Sequence, residues 1–168
     1  RYYNDAALCF RAMLEDIKKA HKFIFMEYHA IDDCPFFEEL VDILEEKVKA
    51  GVEVRMIYDD IGSIIFINRD FAKDMQARGI KCRVFNPIVP TINVLMNNRD
   101  HRKITVVDGK VSYTGGFNLA DEYFNLVSPY GHWKDTGVRI EGSATMNLTT
   151  LFLEMWNQIA NSDKDEEI

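Results

Sequence analysis

Six residues stand at fixed gaps in the second half of this 168-residue chain: His101, Lys103, Asp108, Gly115, Gly116 and Asn118. His101 and Lys103 are two apart at the start of an extended run, so both side chains project to one face. An imidazole beside an ammonium is unfavourable unless an anion lies near both, and a phosphate supplies that anion. Lys103 suits it as a point charge, and the Asn118 amide adds a neutral donor to the same oxygens. Gly115 and Gly116 permit close backbone approach. Asp108 offers a carboxylate able to orient a base or an ammonium. Over residues 99–110, Arg99, Arg102, Lys103 and Lys110 outnumber Asp100 and Asp108, which makes the segment a candidate anion site in an acidic chain. Singly, each feature has a structural reading: a surface histidine, an Asp-Gly hairpin, a Gly-Gly turn. The joint spacing H-x-K-x4-D-x6-G-G-x-N carries the information.

The elements around this segment follow from hydrophobic period. Ala6–Ala20 places Ala6, Leu8, Phe10, Met13, Leu14 and Ile17 near a 3.6-residue repeat and predicts an amphipathic helix. Phe23–Tyr28 predicts a buried strand. Phe36–Ala50 predicts a helix stopped by Gly51, and Val52–Tyr58 a second strand. Phe71–Arg78 and Ile80–Phe85 repeat the helix–strand order, the β-α-β pattern of a largely parallel sheet with covering helices. Asn86–Asn98, with Pro87 and Pro90, predicts a loop. Lys103–Val107 and Val111–Thr114 form a hairpin around Asp108-Gly109. Gly137–Glu141 predicts a last strand, and Ala144–Ala160 a last helix with Leu148, Leu151, Phe152, Met155 and Trp156 inward. The fold class is α/β, one lobe over residues 1–162, followed by an acidic tail at 163–168.

Composition bounds the rest. The chain is 47% hydrophobic and 28% charged, with 20 Lys+Arg against 27 Asp+Glu, a net charge of −7. That balance argues against broad nucleic-acid binding. No run approaches the ~20 apolar residues of a membrane span. Cys9, Cys34 and Cys82 show no CxxC spacing and read as free thiols in a reducing compartment. The chain opens at Arg1 without an initiator Met or a signal peptide, and we expect a domain of something longer.

The spaced segment resembles the phospholipase D superfamily, whose signature is the HKD motif with a downstream Gly-[Gly/Ser]-x-Asn. Phe25–Ile31, Tyr58–Ser63, Gly115–Tyr123 and Trp133–Gly142 are similar to bacterial cardiolipin synthases, and Gly116 fits the first HKD half of one. The resemblance spans about residues 25–160. It implies a single phospholipase D-like lobe with a mixed, largely parallel sheet flanked by helices. It implies phosphodiester exchange without metal or other cofactor, with His101 as nucleophile forming a phosphohistidine and a second histidine protonating the leaving alcohol. Lys103 and Asn118 would hold the non-bridging oxygens with Gly115 and Gly116 beside them. Asp135 matches the acidic position that holds the nucleophilic imidazole, and Asp108 is a supporting residue. The implied substrate is phosphatidylglycerol or another phospholipid, two phosphatidylglycerols giving cardiolipin and glycerol. The implied location is the cell membrane, with this lobe facing the cytoplasm.

The family combines two HKD motifs, and this chain carries one. His132-Trp133-Lys134 begins like a second, but Arg139 falls at the Asp position and no Gly-Gly-x-Asn follows. We therefore expect a second lobe or a homodimer mate to complete the site, and an inactive isolated monomer. A homodimeric HKD phosphodiesterase acting on nucleic acid is the alternative, disfavoured by the net charge. Ile88–Met96 and Ile64–Ile67 are apolar stretches that would face lipid or fold over the sheet. Asp59-Asp60 reads as structural rather than as a cation site, Glu27 and His29, which alternate with core residues, as polar scaffold ahead of lining the site, and Trp133 and Trp156 as core.

Overall fold

The computed structural model describes residues 1–88 and 97–159. Its sheet has seven strands: β1 (Tyr2–Tyr3), β2 (Phe23–Tyr28), β3 (Glu53–Asp59), β4 (Lys81–Phe85), β5 (Lys103–Val107), β6 (Val111–Gly115) and β7 (Gly137–Glu141). The helices are α1 (Ala6–Ile17), α2 (Pro35–Lys49), the single turn α3 (Asp60–Ser63), α4 (Phe71–Ala77) and α5 (Thr145–Ile159). The strand order is β1-β7-β6-β5-β2-β3-β4.

The sheet is mixed, as expected, but not largely parallel. Parallel pairing is confined to β2–β3–β4, and β1–β7, β2–β5, β5–β6 and β6–β7 are antiparallel. Parallel neighbours need a crossover, and among the described residues α2 and α4 supply those of β2–β3 and β3–β4. At the Asp108-Gly109 turn both residues have positive φ, 54° and 63°. Lys110 N–H bonds Val107 C=O at 3.0 Å, the two-residue hairpin that matches strand twist and reverses direction.

Each face of the sheet carries its own core. On one side α1 buries Cys9, Phe10, Met13, Leu14 and Ile17, and α2 buries Phe37, Leu40, Val41 and Leu44. Asp5 caps α1 by accepting from Leu8 N–H at 2.9 Å. Leu8 itself lies outside the apolar stripe and is exposed. On the other side α5 seals Phe25, Ile57, Ile104 and Val106 with Phe152 and Trp156. Phe25 stacks on Phe152 at 4.7 Å between ring centroids. Leu151, expected inward, is exposed, because Phe152 and Trp156, one turn apart, already define the buried stripe.

Helix ends fall short of expectation where local bonds stop them. Lys18 N–H closes on Leu14 C=O, and Lys19 and Ala20 then turn with three-residue bonds. The turn α3 was not expected. Asp59 makes it by capping Gly62 N–H at 3.3 Å. The two-residue β1 is too short to show a period. The acidic tail and most of the Ile88–Met96 stretch lie outside the described residues.

Candidate active site

Strand polarity gathers the motif at one end of the sheet. β5 runs antiparallel to β2 with Lys103 opposite Tyr28, so residues 101–103 meet the chain as it leaves β2. β6 ends at the same level, with Ile104 opposite Thr114, and β7 begins there, with Gly115 opposite Gly137. His101, Lys103, Gly115, Gly116 and Asp135 therefore share one edge with the carboxyl ends of the parallel strands β2 and β3. Such ends are the usual place for a ligand in an α/β sheet.

Lys103 is buried, and its Nζ donates to the His101 carbonyl at 2.9 Å and lies 3.3 Å from His101 Nδ1. An ammonium only donates, so Nδ1 is the acceptor in this contact. Burial lowers the Lys103 pKa to about 8, against the opposing pull of Asp100 and Asp135. His101 is exposed, and the Lys103 charge, burial and His29 together hold its pKa below the ordinary histidine value. The nucleophile candidate is thus biased towards its neutral form, and the lysine wants an anion.

Gly116 has a steric reason. A Cβ there would overlap the Asp135 carboxylate. Asp135 accepts from Trp133 Nε1 at 3.3 Å and from Thr136 N–H at 2.7 Å, and its charge reaches Lys103. It makes no hydrogen bond to His101 among the described residues, so the expected carboxylate–imidazole contact is replaced by a carboxylate–glycine one. Trp133, expected in the core, is half-buried in the loop before β7 and packs edge-on against Tyr123 at 5.1 Å. Asn118 is buried, accepting from Ala30 N–H at 3.1 Å and donating to Tyr123 Oη at 2.9 Å. One of its two N–H bonds is thereby committed to bracing the site, and the second is the one available to a ligand.

Asp108 stands apart. It lies at the other end of β5, five residues and roughly 16 Å from Lys103 at strand rise. Its carboxylate accepts from the N–H groups of His21, Lys22 and Phe23 at 2.8–3.2 Å. Its pKa is lowered: burial opposes ionisation, but the three backbone donors outweigh it. This geometry corrects the idea that Asp108 orients a base or an ammonium; it ties the hairpin to the α1–β2 connection.

Beneath the motif lies a buried ionic cluster that the sequence only hinted at, through one glutamate inside an apolar strand. Glu27 is fully buried. Arg102 Nε is 2.7 Å from Glu27 Oε1 and 3.2 Å from Asp100 Oδ1, with its N–H directed at Asp100. Both Glu27 oxygens consequently lack an aimed donor. Burial and the neighbouring Asp100 push Glu27 up to about 9, so it is protonated at neutral pH. Asp59, also buried, accepts from Arg99 at 3.2 Å and from Asp100 N–H at 2.9 Å. Asp60 accepts from Ile88 N–H at 2.6 Å, so the Asp59-Asp60 pair is structural, as expected. Arg99 and Arg102 pair with these carboxylates, and Lys103 is the cation in contact with His101. Among the described residues no group of three His, Cys, Asp or Glu is arranged to hold a metal ion.

His29 takes the second of its two expected places, lining the site rather than serving only as scaffold. Its ring lies 4.5 Å from that of His101, centroid to centroid. The signal was its alternation, with Glu27, among core residues of an apolar run.

Comparison with known proteins gives the chain a family and a shared fold. A family described as the cardiolipin synthase, phospholipase D-like domain matches residues 13–156. Cardiolipin synthase 2 of Staphylococcus epidermidis is 38% identical over 161 residues, covering 96% of this chain and 33% of that protein. The chain thus spans about a third of the length of the curated relatives it matches. The phospholipase D family member Nuc of Salmonella typhimurium shares the fold at a TM-score of 0.67 and 18% identity, over 94% of this chain and 95% of that one. Phosphatidylserine synthase of Haemophilus influenzae does so at 0.70 and 15% identity, over 92% and 35%. The matched family runs through both cores and the whole edge that carries His101, and the chain belongs to it: the phospholipase D-like domain of the cardiolipin synthases.

Proposed function

We propose that this chain is one lobe of a cardiolipin synthase and performs metal-free phosphatidyl transfer. The observation that carries the reading is His101, biased neutral and exposed, beside a buried Lys103 that makes no salt bridge among the described residues. In the first step a His101 ring nitrogen attacks the phosphorus of phosphatidylglycerol. The P–O bond to glycerol breaks, and glycerol leaves with a proton from an acid on the far side. In the second step the primary hydroxyl of another phosphatidylglycerol attacks the phosphohistidine, loses its proton to that same group, and releases His101 and cardiolipin. Lys103 and the free Asn118 N–H meet the charge that develops on the non-bridging oxygens.

The acid is supplied from outside this chain. An in-line displacement needs nucleophile and acid on opposite sides of phosphorus, with their nitrogens roughly 6–7 Å apart when near-attack and hydrogen-bond distances are added. His29 stands alongside His101 at ring contact and cannot take that place. A second HKD lobe or subunit fits the requirement, and an isolated monomer is then inactive. No described helix is long and apolar enough to cross a membrane, so this lobe meets lipid at its surface or through other parts of the protein.

Labelled phosphatidylglycerol given to the full-length protein tests the reading. Cardiolipin and glycerol should form, with an acid-labile, alkali-stable phosphoryl adduct on His101 lost in His101→Gln. No cardiolipin and no adduct would overturn it. Nuc matches this chain nearly end to end, so the second reading is a homodimeric phosphodiesterase. DNA cleavage by the dimer, abolished in His101→Gln, would favour that reading despite the charge of −7.

A further inference from the structure

His29 is fixed more firmly than a scaffold residue needs to be. Its Nδ1 lies 2.7 Å from the Asp100 carbonyl. A carbonyl only accepts, so Nδ1 carries a hydrogen in this contact. The far side of the ring rests on Gly62, where an added Cβ would lie 2.9 Å from His29 Cδ2. The Ser63 hydroxyl donates to the His29 carbonyl at 3.4 Å and accepts from Ile31 N–H at 3.1 Å. Both supports trace back to one buried carboxylate: Asp59 caps the turn that carries Gly62 and accepts from the Asp100 N–H. The near side of the ring meets His101 at 4.5 Å and an interplanar angle of 45°.

We propose that His29 is a positioning residue for His101, holding the nucleophilic ring on one side and opposing its protonation by occupying the nearest place for a second imidazolium. Positive charge on both rings at this distance is unfavourable, and His29 acts on His101 in the same direction as Lys103. The groups facing the pair are Lys103 on β5, Asp100 and Arg102 before it, Asp59 at the end of β3, Glu27 on β2 and Asp135 before β7. Of these, Lys103 and His29 lower the proton affinity of His101, and Asp100 and Asp59 raise it. The consequence for catalysis rests on His101 being the nucleophile; the coupling of the two rings does not.

Nitrogen-15 NMR titration of the four histidines in the 168-residue chain, without substrate, tests the coupling. His29→Gln keeps a side-chain donor for the Asp100 carbonyl, and His29→Phe keeps a ring against His101; the amide spectrum reports the fold of each. In both variants His101 should titrate about half a pH unit or more higher than in the parent. In the transfer reaction of the full-length protein, the acid limb should move upward by the same amount, with kcat falling below neutrality and KM little changed. His101 titrating at its parental pH in folded variants would overturn the proposal. A shifted titration in a protein that makes no cardiolipin would uphold it and remove only the functional reading.

Discussion

The two ends of β5 carry residues of one motif and treat them in opposite ways. At the Asp108 end a carboxylate meets three backbone N–H groups, and its pKa falls. At the Lys103 end an ammonium is buried with two neutral acceptors, the His101 carbonyl and imidazole, and its pKa also falls. The same direction has opposite meanings. For an acid, a lowered pKa records satisfaction of the charged form; for a base, it records deprivation. The satisfied end holds the fold, and the deprived end is ready for an anion.

The sharpest way to test that division is to remove one residue from each end. His101→Gln should lose about a thousandfold or more in transfer rate while its thermal midpoint stays within a degree or two of the parent's. Asp108→Ala should do the reverse. Leaving three N–H groups without their acceptor costs roughly 2–3 kcal/mol of unfolding free energy by denaturant titration, and activity should track the folded fraction. A hundredfold loss in fully folded Asp108→Ala would break the comparison and return Asp108 to the chemistry.

The pH profile sharpens the deprived end. Lys103 loses its proton at about 8 in the free protein, so kcat/KM should fall above that pH. A bound phosphate favours the ammonium, so the corresponding limb of kcat should lie higher. His101 gains its proton below the ordinary histidine value, which sets the acid limb. Coincident basic limbs in kcat and kcat/KM would separate Lys103 from the phosphate.

Glu27 gives the effect confined to stability and most dependent on pH, and near pH 5 the smallest. Its folded pKa, about 9, stands above its unfolded value near 4.3. The folded state therefore holds a proton that the unfolded state releases, and stability contributed by Glu27 is full below pH 4 and declines as pH rises towards 9. Glu27→Gln should match the parent near pH 5 and exceed it by up to roughly 1 kcal/mol per pH unit above that. Parallel stability curves for the two proteins would refute a buried neutral carboxyl.

Much of the fold was legible because it rests on local pattern. The stripes of α1 and α2, the apolar run of β2 and the Asp-Gly hairpin are short-range signals, and they appear with boundaries within a few residues. Pairing direction was not legible in the same way. A run such as Lys103–Val107 reads alike in either direction, and only its register in the sheet, with Lys103 opposite Tyr28 and Val107 opposite Ile24, makes it antiparallel to β2.

The site divides along the same line. The identities and gaps of His101, Lys103, Asp108, Gly115, Gly116 and Asn118 were determined by the sequence alone, because hairpin register carries a fixed spacing into a fixed juxtaposition. Tertiary structure decided which of them meet. It sent Asp108 to the far end of the strand, turned Asp135 onto Gly116 and Trp133, and buried Glu27 against Asp100. It also set His29 against His101 across seventy-two residues of chain. Such contacts depend on sheet order and burial, which no local spacing encodes, and they determine the charge each motif residue bears.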